Sequence, residues 1–236
     1  MSLGSSVLGR TSSSGLESQG VPQDSRPKTQ DVSDHDHPKA ARADHEILDV
    51  IRFRWSPRAF DATRDLGVDD LRRLFEAARW APSSRNEQPW RFVVATRTGS
   101  AASFAALLAS LNPTNQAWAA AAPVLVLAAV RLRHERDDLD NAHAWYDAGQ
   151  AVAYLSLQAT AMGLSTRQMQ GFSPDAAAAA CQVPAEFAPA VVFAVGYAGE
   201  PSSLTSEKHR VAETAPRERR AIGDFVYEAR WGIALS

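Results

Sequence analysis

Apolar residues along this chain change period several times, and each change marks an element. In HEILDVIRF (residues 45–53), Ile47, Leu48 and Ile51 fall at helical spacing. RWSPRAF (54–60) then turns extended, because Pro57 biases Ser56 away from the helical region. VDDLRRLFEAARW (68–80) carries a buried stripe of Leu71, Leu74, Phe75 and Ala78, opens at Val68 or Asp69, and is ended by Pro82. RFVVATR reads as a strand, SFAALLASL as a helix and PVLVLAAVRL as a buried strand. A long helix covers about 144–162 and stops at Gly163. A short alanine-rich helix follows Ser173-Pro174, where serine caps and proline suits the first turn. AVVFAVGYA is nearly continuous in apolar residues, which predicts a central strand. From Pro201 onward the chain is charged, with Phe225, Tyr227 and Trp231 as aromatic anchors.

Helices interspersed with a few apolar strands imply a layered α+β or α/β domain, its helices covering a small sheet. No Gly-x-Gly-x-x-Gly follows any strand, which excludes a dinucleotide-binding Rossmann domain. Order is expected from residue 44 to 236 as a single domain. Residues 1–43 are rich in Ser, Gly, Asp, Gln and Pro, cannot bury enough surface to offset chain entropy, and read as a disordered tail. DHDH (34–37) within that tail reads as solvated polar sequence, since nothing supplies the rigid ligand set a metal needs; no metal is expected.

The chain has 236 residues, 45% hydrophobic, enough for a sizeable core. A net charge of −2 creates no global field for nucleic acid or an anionic membrane, so any anion site must be local. The single cysteine, Cys181, forms no internal disulfide and reads as a small buried hydrophobe. No apolar run spans a bilayer, and the N-terminus lacks a signal-peptide core, so a cytoplasmic protein is expected.

Four segments carry candidate chemistry. Arg54, Ser56 and Arg58 alternate along an extended segment and share a face, as a phosphate or carboxylate clamp would; surface arginines beside a helix end are the plainer reading. APSSRNEQPW (81–90) offers Ser83, Ser84, Asn86 and Gln88, donors and acceptors suited to a heterocycle edge, or else to a capped turn. In RQMQGF (167–172), Gly171 permits a close backbone approach or is a loop glycine. APRERR holds Arg217, Arg219 and Arg220, a solvated charge run or the second half of an anion clamp.

In this order, RWSPRAF, LRRLFEAARWAPSSRNEQPWRFVVA, NQAWAAAAPVLVLA, WYDAGQAVAYLSLQATAMGL, QMQGF and RERRAIGDFV resemble the nitroreductase family of FMN-dependent oxidoreductases, from about residue 45 to 231. The resemblance implies an α/β/α sandwich around a mostly antiparallel sheet, an intertwined homodimer, and FMN at the subunit interface. It assigns the flavin phosphate to Arg54 and Ser56 and the pyrimidine edge to Arg58. A cation there suits the negative charge that develops at N1 of reduced flavin. Pro82, Ser83, Ser84 and Asn86 would reach the partner's flavin, Asn115 its pyrimidine portion, and Gln170 and Gly171 would meet N5 and O4. Arg217 and Arg219 fit the closing phosphate pair; Lys208 and Arg210 share that spacing and compete with them.

Two tryptophans depart from the pattern. Trp55, within the cofactor segment, replaces a second basic or polar residue, and Trp118 stands where some members place lysine. The implied activity is NADH- or NADPH-driven, ping-pong reduction of a nitroaromatic, quinone or activated alkene, with no catalytic side chain required. Relatives with other flavin chemistry, namely flavin fragmentation, reductive dehalogenation and azoline oxidation, and a non-catalytic FMN-binding protein are the alternatives.

Overall fold

The structure is a computed structural model and describes residues 37–235. Val124–Arg131 (β2) is buried at every position but its last, so both of its faces need covering. Trp90–Thr96 (β1), Ser165–Met169 (β3) and Phe187–Gly196 (β4) complete a sheet of order β1-β2-β4-β3, antiparallel throughout. The expected central position of β4 is thus met. Alternation divides β2 between two cores. Val124, Val126, Ala128 and Val130 pack with Leu74 and Ala78 of α2 (Val68–Arg79) and with Ala151 and Leu155 of α5 (Ala144–Ala161). Leu125 and Leu127 face the opposite layer. There they meet Leu107 of α3 (Ala101–Ala109), Trp118 of α4 (Pro113–Ala119) and Ala177 of α6 (Pro174–Cys181). The result is the expected α+β sandwich.

Local chemistry sets the ends. α5 stops where Gly163 turns left-handed at φ 71°, letting Leu164 N–H reach back to Ala159 O. Ser173 Oγ accepts from Ala176 N–H, with Pro174 opening α6. Among the described residues, no helix is long and apolar enough to cross a membrane.

Several expectations need correction. The first helix, α1, spans only Asp49–Phe53; its N-cap is Leu48, whose side chain cannot accept from the first-turn amides. Ile47, Leu48 and Ile51 are exposed, Leu48 to 70%, since nothing else among the described residues covers them. β4 starts at Phe187, upstream of the expected Ala190, because a register shift opposite Ala128/Ala129 accommodates Pro189. β3 and two helices, α4 and α7 (Glu207–Thr214), escaped the hydrophobic pattern. Trp231 and Phe225 do not act as anchors among the described residues: they are 90% and 60% exposed, with Tyr227 4.9 Å from Trp231 ring to ring.

Residues 1–36, and with them most of the expected tail and Asp34, His35 and Asp36, lie outside the described residues. Residues 37–43, expected within that tail, are placed. Ala41 N–H bonds Arg52 O, and Lys39 is buried.

Candidate functional site

The RWSPRAF segment leaves α1 in extended geometry and runs beneath the end of α7. Glu213, in the last turn of α7 and only 3% exposed, accepts from Arg58 N–H at 3.0 and 3.1 Å and from Ala59 N–H at 3.3 Å. Its carboxylate also lies 3.8 Å from the Arg58 guanidinium. One buried carboxylate thus fixes the backbone direction at Arg58.

Arg217 follows α7 and returns to the same segment. Its guanidinium donates to Arg54 O and Arg52 O, while Arg54 Nη1 donates to Ser56 Oγ at 3.1 Å. Arg54, Arg217 and Arg219 form one cationic group. Burial, then Arg219, lowers the Arg54 pKa; burial, then Arg54 and Arg219, lowers that of Arg217. No ion pair joins these three to a carboxylate among the described residues, although most other arginines have one. Arg217 Nε–H is buried without a hydrogen-bond partner. An unpaired guanidinium cluster with an orphaned buried donor fits an anion supplied from outside the chain. Of the competing pair, Arg210 binds Glu207 and Leu204 O and Lys208 is exposed on α7; Arg219 is likewise exposed, its guanidinium donating to Glu218 O.

Arg167, on β3, extends the cationic ground. It donates to Ser56 O and lies 5.3 Å from the Trp118 ring centroid. Burial, then Arg58, lowers its pKa to about 10 against an opposing pull from Glu213. Trp118 is 3% exposed and stacked on Phe60 at 6.2 Å. It is a core residue, so it is Arg167 that brings positive charge to this region. Trp55 packs edge-on to His37 at 6.4 Å and lies 5.5 Å from Lys39 Nζ.

The loop after α2 is held in an unusual conformation. Arg85, Asn86 and Gln88 all have left-handed φ, at 55°, 58° and 48°. Such residues persist only where the surroundings over-determine them. Ser84 N–H donates to buried Asp147 of α5 at 3.0 Å, and Gln88 N–H to Ser83 Oγ at 3.0 Å. Glu87 lies 3.4 Å from His134 Nδ1 and also accepts from Glu135 N–H. Pro82 and Asn86 are exposed, and Ser83 and Ser84 half-buried. No hydrogen bond or ion pair ties residues 82–88 to residues 54–58 or 217–219 of the same chain among the described residues. Asp147→Asn should weaken the charged contact to Ser84 N–H and reduce stability by about 1 kcal/mol, read from the shift in thermal unfolding.

Asn115 and Gly171 are brought together. Asn112 Oδ1 caps α4 by accepting from Asn115 N–H at 2.9 Å, and Asn115 Nδ2 donates to Gly171 O at 3.2 Å. A Cβ on Gly171 would meet Asn112 Nδ2 at 2.1 Å, so this packing by itself favours glycine. Gln170 is exposed beside it. Gly171→Ala is expected to destabilise by about 1–3 kcal/mol through overpacking, measurable by denaturant titration.

Sequence reasoning missed Glu213, Asp147, Lys39 and Arg167. Asp147 had a signal: it follows Ala144 by three positions and precedes Ala151 by four, on the buried stripe of α5. Glu213 and Lys39 are ordinary charges in polar segments, and Arg167 opens the RQMQGF segment, where only Gln170 and Gly171 suggested a role.

The nitroreductase family model, described as "Nitroreductase family", matches residues 51–197, more than half of the chain, and the chain belongs to that family. A solved structure of an oxidoreductase containing FMN is 30% identical, with a TM-score of 0.75, and the match covers 81% of this chain and 96% of that one. A 15.4 kDa protein of Mycolicibacterium smegmatis is 33% identical over 150 residues, 61% of this chain and 99% of that protein. The major NAD(P)H-flavin oxidoreductase of Aliivibrio fischeri is 30% identical over 96 residues, 41% of this chain. That match spans 44% of the Aliivibrio protein's own length.

Proposed function

We propose that this chain is an FMN-dependent oxidoreductase that takes reducing equivalents from NADH or NADPH and passes them to an electrophilic small-molecule acceptor. The observation that carries the reading is the Arg54–Arg217–Arg219 group, which lacks a carboxylate partner among the described residues and keeps a buried donor in hand. Membership of the nitroreductase family, and similarity to an oxidoreductase containing FMN, point the same way. Bound FMN would supply hydride acceptance and donation at N5, between nicotinamide and acceptor.

The protein's part is to bind and orient. Arg54, Ser56, Arg217 and Arg219 hold the phosphate, where charge-assisted bonds and orphaned donors are matched. Arg58, its backbone fixed by Glu213, offers a cation to the pyrimidine edge, and Arg167 behind it adds to the positive potential. Gln170 and Gly171 present backbone beside N5 and O4, braced by Asn115. Pro82, Ser83, Ser84 and Asn86 serve the flavin of a second chain. The exposure of Pro82 and Asn86, and a loop backbone held left-handed at Arg85, Asn86 and Gln88, support that assignment.

The functional unit in this reading is a homodimer. α1 and α5 are neighbours, and with the N-cap Leu48 they expose Ile51, Trp145, Tyr146 and Tyr154, an apolar surface suited to another copy. The acceptors are nitroaromatics, quinones or activated alkenes. A cytoplasmic location goes with this reading, since a single cysteine forms no internal disulfide. Mixing FMN-loaded protein anaerobically with NADH or NADPH should bleach the flavin absorbance, and an added nitroaromatic or quinone should restore it. Bound flavin that neither nicotinamide bleaches would sink the proposal.

A further inference from the structure

Lys39 lies N-terminal to the family-matched span of 51–197 and is 6% exposed, an uncommon state for lysine. Its Nζ donates to Ala212 O and Ala215 O, the two carbonyls that bracket Glu213 at the end of α7. A cation is favoured there, because helix C-termini present unsatisfied carbonyls and the negative end of the dipole. The same Nζ lies 5.5 Å from the ring of Trp55, between Arg54 and Ser56. Ala41 N–H, two residues on, binds Arg52 O, which also accepts from Arg217. Residues 37–41 therefore join the start of the RWSPRAF segment to the end of α7. Arg217 comes two residues after Ala215, so the position of its guanidinium follows from where that helix end is held.

We propose that Lys39 is a positioning residue for the cofactor's phosphate: by pinning the end of α7 it sets where Arg217 meets Arg54. This rests on the FMN reading above. Lysine suits the role through its three donors and flexible stem, which serve two carbonyls and an aromatic face from one buried point. Burial lowers its pKa, Glu213 opposes that, and Arg217 and Arg58 lower it further, as expected of an ammonium set within this cationic group.

The test compares FMN with riboflavin, which lacks the phosphate, binding to the full chain by quenching of flavin fluorescence. Lys39→Met should weaken FMN binding about tenfold or more and leave riboflavin affinity within about threefold, collapsing the preference for the phosphorylated ligand. Lys39→Arg, which keeps a cation and donors, should recover much of that preference. Lys39→Gln, which keeps one neutral donor, provides the intermediate case should the methionine variant fold poorly. An unchanged preference in a folded variant overturns the inference, as does an equal loss for both flavins, which a general structural role would give. Wild-type protein that binds neither flavin instead overturns the proposed function, so the two failures are distinct.

Discussion

Glu213→Ala is expected to lower stability by about 3 kcal/mol and, with it, to degrade FMN binding. The carboxylate is almost fully buried, accepts from the backbone of Arg58 and Ala59, and sits beside the Arg58 guanidinium. Removing it leaves two amides and a half-buried cation without their acceptor, and the cost of unsatisfied groups exceeds the value of the bonds themselves. Loss on that scale should appear as a fall in unfolding temperature of about 6–12 °C for a domain of this size. Glu213→Gln, which keeps an acceptor oxygen and drops the charge, should fall between. A melting temperature unchanged by Glu213→Ala would mean that α7 is held to the RWSPRAF segment by other contacts.

Arg54→Ala or Arg217→Ala should each weaken FMN binding by about 1.5–3 kcal/mol, roughly tenfold to a hundredfold in Kd. The two differ in a second readout. Arg217 also ties α7 to the carbonyls of Arg52 and Arg54, so its removal should lower the melting temperature of the apoprotein. Among the described residues the Arg54 side chain bonds only Ser56 Oγ, and it lies among like charges, so its removal should leave apoprotein stability nearly unchanged. Titration of FMN into each variant, beside thermal unfolding without flavin, measures both. Equal FMN affinity in wild type and both variants would show that the phosphate lies elsewhere.

Much of this fold is legible in the hydrophobic pattern because burial is periodic there. The stripe Leu71, Leu74, Phe75, Ala78 and the runs in β2 and β4 state their own geometry. β3 is not legible: STRQM is a five-residue edge strand whose buried positions are Thr166 and Met169, too few and too polar for a period. Buried Thr166 has its hydroxyl satisfied by Ser156 Oγ at 3.0 Å. α7 is hidden for a related reason, since its sole buried residue is a glutamate. Within the site, the residues proposed to touch FMN lie in recognisable motifs, whereas those that hold the motifs do not. Glu213, Asp147 and Lys39 act through buried contacts to backbone, 63 to 176 positions away along the chain, and such pairings appear only once the chain is folded. Leu48 and Ile51 show the converse, an apolar pair at helical spacing that lies exposed and of which only Ile51 falls within α1.

A crystal structure of the FMN-loaded protein tests the central claim most directly. The phosphate oxygens are expected about 2.7–2.9 Å from guanidinium nitrogens of Arg54 and Arg217, with Ser83, Ser84 and Asn86 of a second chain against the same flavin. A phosphate held by Lys208 and Arg210, or a flavin enclosed by one chain alone, would contradict it.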